Sequence, residues 1–150
     1  MNQSPDARYE ELIAKLRARG GRITPQRMAI VRILADAAGH PSAEEIYHQI
    51  RMRFPTTSLA TVYKVIAALK EMGEVLELGF ADGSSRYDGH NPHPHAHLIC
   101  VRCRKIVDPR VEGLNAVPQD VARAEGYLLV GHRFDIYGVC PECRAAEAQP

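Results

Sequence analysis

Three observations predict an α+β fold in two parts. Apolar residues recur at helical spacing through the first half of the chain. Two short extended runs joined around Asp82-Gly83 follow. From His97 onward, strand-like runs surround two CxxC pairs, Cys100/Cys103 and Cys140/Cys143. At 150 residues there is room for one ordinary domain or two small ones, and 45% hydrophobic residues favour a packed core over disorder.

A first helix is expected from about Tyr9 to Arg19, with Leu12, Ile13 and Leu16 on one face and Gly20-Gly21 as its stop. Thr24-Pro25 pairs a capping hydroxyl with proline at the first helical position and starts a second helix. Ile30, Ile33, Leu34 and Ala37 repeat along it until Gly39-His40-Pro41. Ser42-Ala43-Glu44-Glu45 fits a capping box, and Ile46 and Ile50 give the third helix a buried stripe. Pro55-Thr56-Thr57-Ser58 opens a fourth helix that runs to about Met72, with Leu59, Val62, Ile66 and Leu69 on one face and Gly73 at its end. The runs from Val75 to Phe80 and from Ser84 to Asp88 make a hairpin. Helices followed by a small hairpin describe a winged helix-turn-helix, placed at residues 1–88.

The stretch from Gly89 to Pro94 carries two prolines and reads as a linker, so 89–95 is taken as a hinge and 96–150 as a second domain. Strands are expected there from His97 to Val101, Ile106 to Asp108 and Tyr127 to Val139. A helix is expected from about Asn115 to Glu125, closed by Gly126.

The formal net charge is +1, with 12 basic and 11 acidic residues before Gly89 and seven of each after it. Any case for nucleic acid therefore rests on where charge is placed, not on its total. The start, Met1-Asn2-Gln3-Ser4-Pro5-Asp6, lacks the basic residues and apolar run of a signal peptide, and no apolar stretch is long enough to span a membrane. A soluble cytoplasmic protein is expected, where thiols stay reduced.

In that setting Cys100, Cys103, Cys140 and Cys143 read as ligands of one closed structural zinc site rather than as disulfides. The His-rich cluster just upstream offers harder ligands. His95 and His97 alternate by two and would share a strand face; Asp88 stands across the linker and Asp108 on the following strand. His40, on the loop before the third helix, is either a helix-entry residue or a further ligand. In the second case it joins the two halves. Two metal sites of different softness in one small chain point to sensing.

On the fourth helix, the face opposite the apolar stripe carries Ala60, Lys64 and Ala67, with Tyr63 on its flank. Small residues would let it enter a major groove, where Lys64 can meet a phosphate or guanine edge and Tyr63 a thymine methyl. Arg22 and Arg86 are natural backbone contacts. Taken alone, this helix is equally a solvated face with a chance lysine; the succession of helices and hairpin favours DNA. Without a positive excess a monomer binds weakly, so a dimer is expected.

Several segments together resemble the ferric uptake regulator family over nearly the whole chain. They are Arg22-Ile23-Thr24-Pro25-Gln26-Arg27, His40-Pro41-Ser42-Ala43-Glu44-Glu45-Ile46-Tyr47, Ala60-Thr61-Val62-Tyr63, Ser85-Arg86-Tyr87-Asp88, His95-Ala96-His97-Leu98-Ile99-Cys100 and Tyr137-Gly138-Val139-Cys140. The resemblance implies a homodimeric, metal-dependent repressor of transcription with a small C-terminal α/β dimerisation domain, binding AT-rich inverted repeats in double-stranded DNA. It adds Thr61 to the DNA-facing residues and makes His40, Asp88, His95, His97 and Asp108 the regulatory ligands. Aspartates at 88 and 108, where iron-sensing members usually carry glutamates, resemble the peroxide-sensing branch. In that branch the Fe(II) form reacts with hydrogen peroxide, which oxidises a histidine ligand, here His40 or His95, while Mn(II) supports repression without that chemistry.

There are departures. The stretch between Asp88 and His95 is one residue longer than in typical peroxide sensors. An additional site found in some members is incomplete: His132 matches, but Pro94, Ala96 and Asn115 stand where other ligands would. His90 and His93 read as solvated linker residues.

An iron- or zinc-uptake regulator without redox chemistry is the alternative within the family. An enzyme is not expected. Cys140-Pro141-Glu142-Cys143 is similar to a deaminase PCxxC, but no HxE precedes it, the proline lies inside the pair, and four thiolates would close the metal. A metal carrier would not need the helix-and-wing half. No small-molecule substrate besides peroxide is expected.

Overall fold

The computed structural model describes residues 3–36 and 39–149, in two compact units, Met1–Pro92 and His93–Pro150. In the first unit, α1 (Pro5–Ala18), α2 (Pro25–Ala35), α3 (Ala43–Arg51) and α4 (Leu59–Glu71) precede an antiparallel hairpin of β1 (Leu76–Gly79) and β2 (Ser85–Asp88). Leu12, Ile30, Leu34, Ile46, Val62, Ile66 and Leu69 form its fully buried centre. The helical stripes read from the sequence meet there, and Val65 and Tyr87 join them.

Local chemistry sets the ends of these helices. α1 begins four residues earlier than expected because Ser4-Pro5 repeats the Thr24-Pro25 signal: Ser4 Oγ accepts from Ala7 N at 3.1 Å. Thr24 caps α2 in the same way, and both bonds of the Ser42/Glu45 capping box are made. Ser58 caps α4. Ala37, expected to extend the α2 stripe, lies outside the described residues. Asp82 Oδ1 accepts from Ser84 N, and Gly83 takes the positive φ of 85° that the hairpin turn requires.

The second unit is a three-stranded sheet in the order β4-β3-β5, from β3 (Ala96–Cys100), β4 (Ile106–Val107) and β5 (Phe134–Gly138). β3 pairs antiparallel with β4 and parallel with β5. A 3-10 turn (Leu114–Ala116), α5 (Val117–Ala124) and α6 (Pro141–Glu147) complete it. The expected strand from Tyr127 forms only from Phe134. Tyr127, Leu128 and Val130 are apolar but 76–93% exposed, with no strand against them. α6 is a new element. Pro141 at its first position has the fixed φ that opens a helix. No described helix is long and apolar enough to cross a membrane.

Candidate metal centres

The second unit draws all four cysteines together. Cys100 ends β3, Cys103 follows in a tight turn, and Cys140 and Cys143 begin α6 beyond β5. Because β3 and β5 run parallel in register, with Cys100 opposite Gly138, the two CxxC turns emerge at the same end of the sheet. The four sulfurs lie within 4.8 Å of one another, and Cys103 Sγ is 3.7 Å from Cys140 Sγ. A zinc tetrahedron with bonds of about 2.3 Å has edges of about 3.8 Å, so this cluster fits structural zinc. Arg104 takes a left-handed φ of 64° to turn the knuckle, and its N–H donates to Cys100 O at 3.0 Å.

Cys100 and Cys143 are shifted in opposite directions. Amide donors from Cys103 and then Cys140 pull Cys100 down to about 6. Hydrogen bonding to Cys140, followed by burial among the other sulfurs, pushes Cys143 up to about 12. Four thiolates crowded together repel one another, so they ionise together only around a cation.

In the first unit His40 and Asp88 form a buried pair, Nε2 to Oδ2 3.2 Å. Both are held by backbone. Asp88 Oδ1 accepts from His90 N and Asn91 N, each at 2.9 Å, which turns Oδ2 toward the imidazole. His40 adopts a left-handed φ of 47°, a conformation uncommon outside glycine and concentrated at functional positions. Arg86 secures that loop: Nε donates to His40 O, and Nη2 to Gly39 O at 2.8 Å. Tyr87 N donates to Pro41 O at 2.9 Å. Arg86, read from the sequence as a DNA backbone contact, has a side chain 17% exposed and turned onto this loop.

The linker is tied down as well. Arg8, itself buried, donates from Nε to Gly89 O at 2.8 Å. A Cβ at Gly89 would stand 2.6 Å from Leu34 O, so no larger residue fits there. His90, expected to be solvated, is half-buried with Nδ1 2.9 Å from Ala35 O. A carbonyl can only accept, so that nitrogen carries the proton. His93 is exposed.

In the second unit, Asp108 Oδ1 lies 3.3 Å from His95 Nε2 and 3.8 Å from His97 Nε2. The two rings are 4.3 Å apart between centroids. His95 Nδ1 donates to His93 O at 2.6 Å, which leaves Nε2 with the lone pair a metal needs. Ligands about 2.1 Å from a six-coordinate divalent ion stand about 3 Å apart, so each carboxylate–imidazole set fits part of such a shell. Asp135 escaped the sequence reading. Its Oδ1 is 3.5 Å from His97 Nδ1, a proximity that depends on a parallel strand register no local pattern reveals. Of the incomplete extra site, Asn115 serves the backbone instead, since its Oδ1 accepts from Ala96 N at 2.9 Å and fixes the start of β3.

On α4, Ala60, Tyr63, Lys64 and Ala67 are exposed and Thr61 half-buried. Tyr63 OH donates to Glu44 Oε1 at 3.0 Å; this bond raises the phenol above its usual value and fixes the ring on the helix flank. Arg22 is exposed beside the α2 start.

A helix-and-wing unit and a four-thiol unit, each carrying an aspartate–imidazole set, have the make-up of a metal-responsive regulator. The chain belongs to the ferric uptake regulator family, whose model matches residues 18–137. It is 45% identical over 142 residues to the peroxide-responsive repressor PerR of Staphylococcus epidermidis (strain ATCC 12228 / FDA PCI 1200), spanning 95% of this chain and 94% of that protein. Among solved structures it is similar to the Helicobacter pylori ferric uptake regulator, described as having three functional metal binding sites (TM-score 0.78, 25% identity, 95% of both chains). It is also similar to a zinc-bound manganese uptake regulator (TM-score 0.68, 35% identity, 88% of this chain and 98% of that one).

Proposed function

We propose that the protein is a homodimeric, metal-dependent transcriptional repressor that releases double-stranded DNA in response to hydrogen peroxide. The observation that carries this reading is aspartate paired with imidazole twice over, Asp88 with His40 in one unit and Asp108 with His95 and His97 in the other. We read the two sets as halves of one regulatory shell. Imidazole suits iron and carboxylate suits manganese, so the donor set fits Fe(II) or Mn(II), while the thiols hold zinc. Similarity to a peroxide-responsive repressor supports the peroxide response.

His40, Asp88, His95, His97 and Asp108 would hold the ion, and such a shell would leave room for peroxide to approach it. Iron(II), when bound, would supply the electron that breaks the O–O bond of peroxide, and peroxide the oxidising equivalents; manganese(II) would hold the same residues without that chemistry. His40 and His95 are the proposed targets. The ring takes one oxygen from peroxide, the other oxygen leaves as water, and the altered ring no longer serves as a ligand. Losing His40 would free the first unit from the ion, and losing His95 would open the shell from the other side.

Arg22, Ala60, Thr61, Tyr63 and Lys64 are the proposed DNA-facing residues, with an AT-rich inverted repeat as target. Arg86 is assigned to the His40 loop instead of a phosphate. A second copy would cover the apolar groove formed by Val117, Val121, Tyr127, Leu128, Val130 and Phe134.

An anaerobic gel shift tests the reading. Modest peroxide should release DNA from the Fe(II) protein with one oxygen added to His40 or His95, and leave the Mn(II) complex intact. Retained DNA affinity with no added oxygen would remove the peroxide response. It would leave an iron- or zinc-uptake regulator, a reading that similarity to a ferric uptake regulator supports on its iron side.

A further inference from the structure

We propose that Asp135 is a positioning residue that holds His97 in the tautomer able to bind metal. The inference rests on the reading of His97 as a regulatory ligand through Nε2, the ring nitrogen nearer Asp108. Parallel pairing sets His97 opposite Asp135 on adjacent strands, so both side chains leave the same face of the sheet. Both are buried, with side chains 2% and 8% exposed. Asp135 Oδ2 is already engaged: it accepts from Arg133 Nε at 2.6 Å and from Tyr137 OH at 3.4 Å. Oδ1 is buried without a hydrogen-bond partner among the described residues, and lies 3.5 Å from His97 Nδ1.

A buried carboxylate oxygen in that condition is costly unless a donor reaches it. The one proton of a neutral imidazole can occupy either nitrogen. With the proton on Nδ1, directed at Asp135, the Nε2 lone pair is left for a metal. A small closing movement of the ring completes the bond, and the carboxylate makes Nε2 a stronger donor. Arg133 and Tyr137 keep Asp135 from turning away. His95 reaches the same state by other means, since the His93 carbonyl accepts its Nδ1 proton. Two ligand histidines are thus oriented independently, one by backbone and one by a buried side chain.

The test uses the full-length zinc-loaded protein. Long-range proton–nitrogen NMR before metal addition should find His97 protonated on Nδ1 in the unaltered chain, and moved toward the Nε2-protonated form in Asp135→Asn, whose amide can donate to the ring. Mn(II) affinity should fall about 10–100-fold in Asp135→Asn, as for loss of other outer-shell partners, and recover in part in Asp135→Glu. Zinc content should not change. An Nε2-protonated His97 in the unaltered chain, or Mn(II) affinity untouched by Asp135→Asn, overturns the proposal. His97→Ala separates the two failures: if it binds Mn(II) normally, the ligand reading itself falls and Asp135 loses its role with it. If His97→Ala abolishes binding and Asp135→Asn does not, the ligand reading stands and the proposal alone is wrong.

Discussion

The thiol cluster and the aspartate–imidazole sets use the same backbone resources to opposite ends. All four sulfurs belong to one unit and face one another at tetrahedral spacing, so the site is complete within that fold. The proposed harder ligands are divided: His40 and Asp88 are fixed in the first unit, His95, His97 and Asp108 in the second. A site whose ligands share one rigid element holds that element together. If the proposed shell draws on both units, its occupancy would instead be reported as a change of arrangement.

The largest effect expected from this contrast is loss of the soft site. Cys100→Ser, or zinc removal by a strong chelator, should abolish the unfolding transition of the 96–150 region and the dimer with it, followed by circular dichroism and size-exclusion chromatography. The helical signal of α1–α4 should survive. A Cys100→Ser protein that stays folded and dimeric would deny the thiols their structural role. Asp108→Ala should do the reverse: fold, zinc content and dimer kept, metal-dependent DNA binding lost. The fall in Mn(II) affinity should exceed the roughly 10–100-fold expected for an outer-shell partner. Asp108→Glu should keep metal-dependent repression and blunt the peroxide response; full sensitivity in that variant would undo the argument from aspartate.

Much of this was legible in the sequence wherever a local rule decided the outcome. Thr24-Pro25, the Ser42/Glu45 box and the Asp82-Gly83 turn are short-range chemistry, and the structure forms each of them. The two CxxC pairs announced their cluster because few other arrangements of four cysteines have that spacing. What escaped depends on long-range register or on packing. Tyr127–Arg133 has the composition of a strand but pairs with no strand among the described residues. The side-chain partners of Arg86, in the wing, were not visible because its hydrogen bonds reach 46 and 47 positions back along the chain. His90 looked solvated for the same reason, its partner lying 55 residues away.

Arg86 offers a sharper comparison, because its two possible roles predict different measurements. As a clamp on the His40 loop, Arg86→Ala should weaken Mn(II) binding about 10-fold through a mispositioned ligand, while the salt dependence of DNA binding at saturating metal stays the same. As a phosphate contact, it should lower the salt slope by about one and leave metal affinity alone. Arg86→Lys is expected to behave like Arg86→Ala, since an ammonium cannot span two carbonyls in the planar fork of a guanidinium. A changed slope with unchanged metal affinity would return Arg86 to the DNA surface.

The smallest expected effect concerns acid and the charge network around Arg8, which also reaches Gly89. Arg8 bridges Glu11 and Glu74 at 3.1 and 3.0 Å, while Lys15 reaches Glu11 at 2.8 Å. Hydrogen bonding to Lys15, and behind it to Arg8, brings Glu11 from an ordinary 4.5 down to about 2, against the opposing cost of burial. A carboxyl whose folded value is depressed contributes its full stability above the unfolded value. That contribution disappears as pH falls from about 4.5 to about 2. Glu11 and Lys15 are both partly open to water, so the contribution should be below about 1 kcal/mol. Glu11→Gln should therefore unfold slightly more easily than the unaltered chain at neutral pH, and the gap should close in acid. Denaturant melts of the two proteins at pH 7 and near pH 2 measure it. A gap that widens on acidification would mean that these groups oppose the fold and that Arg8 reaches Gly89 without their help.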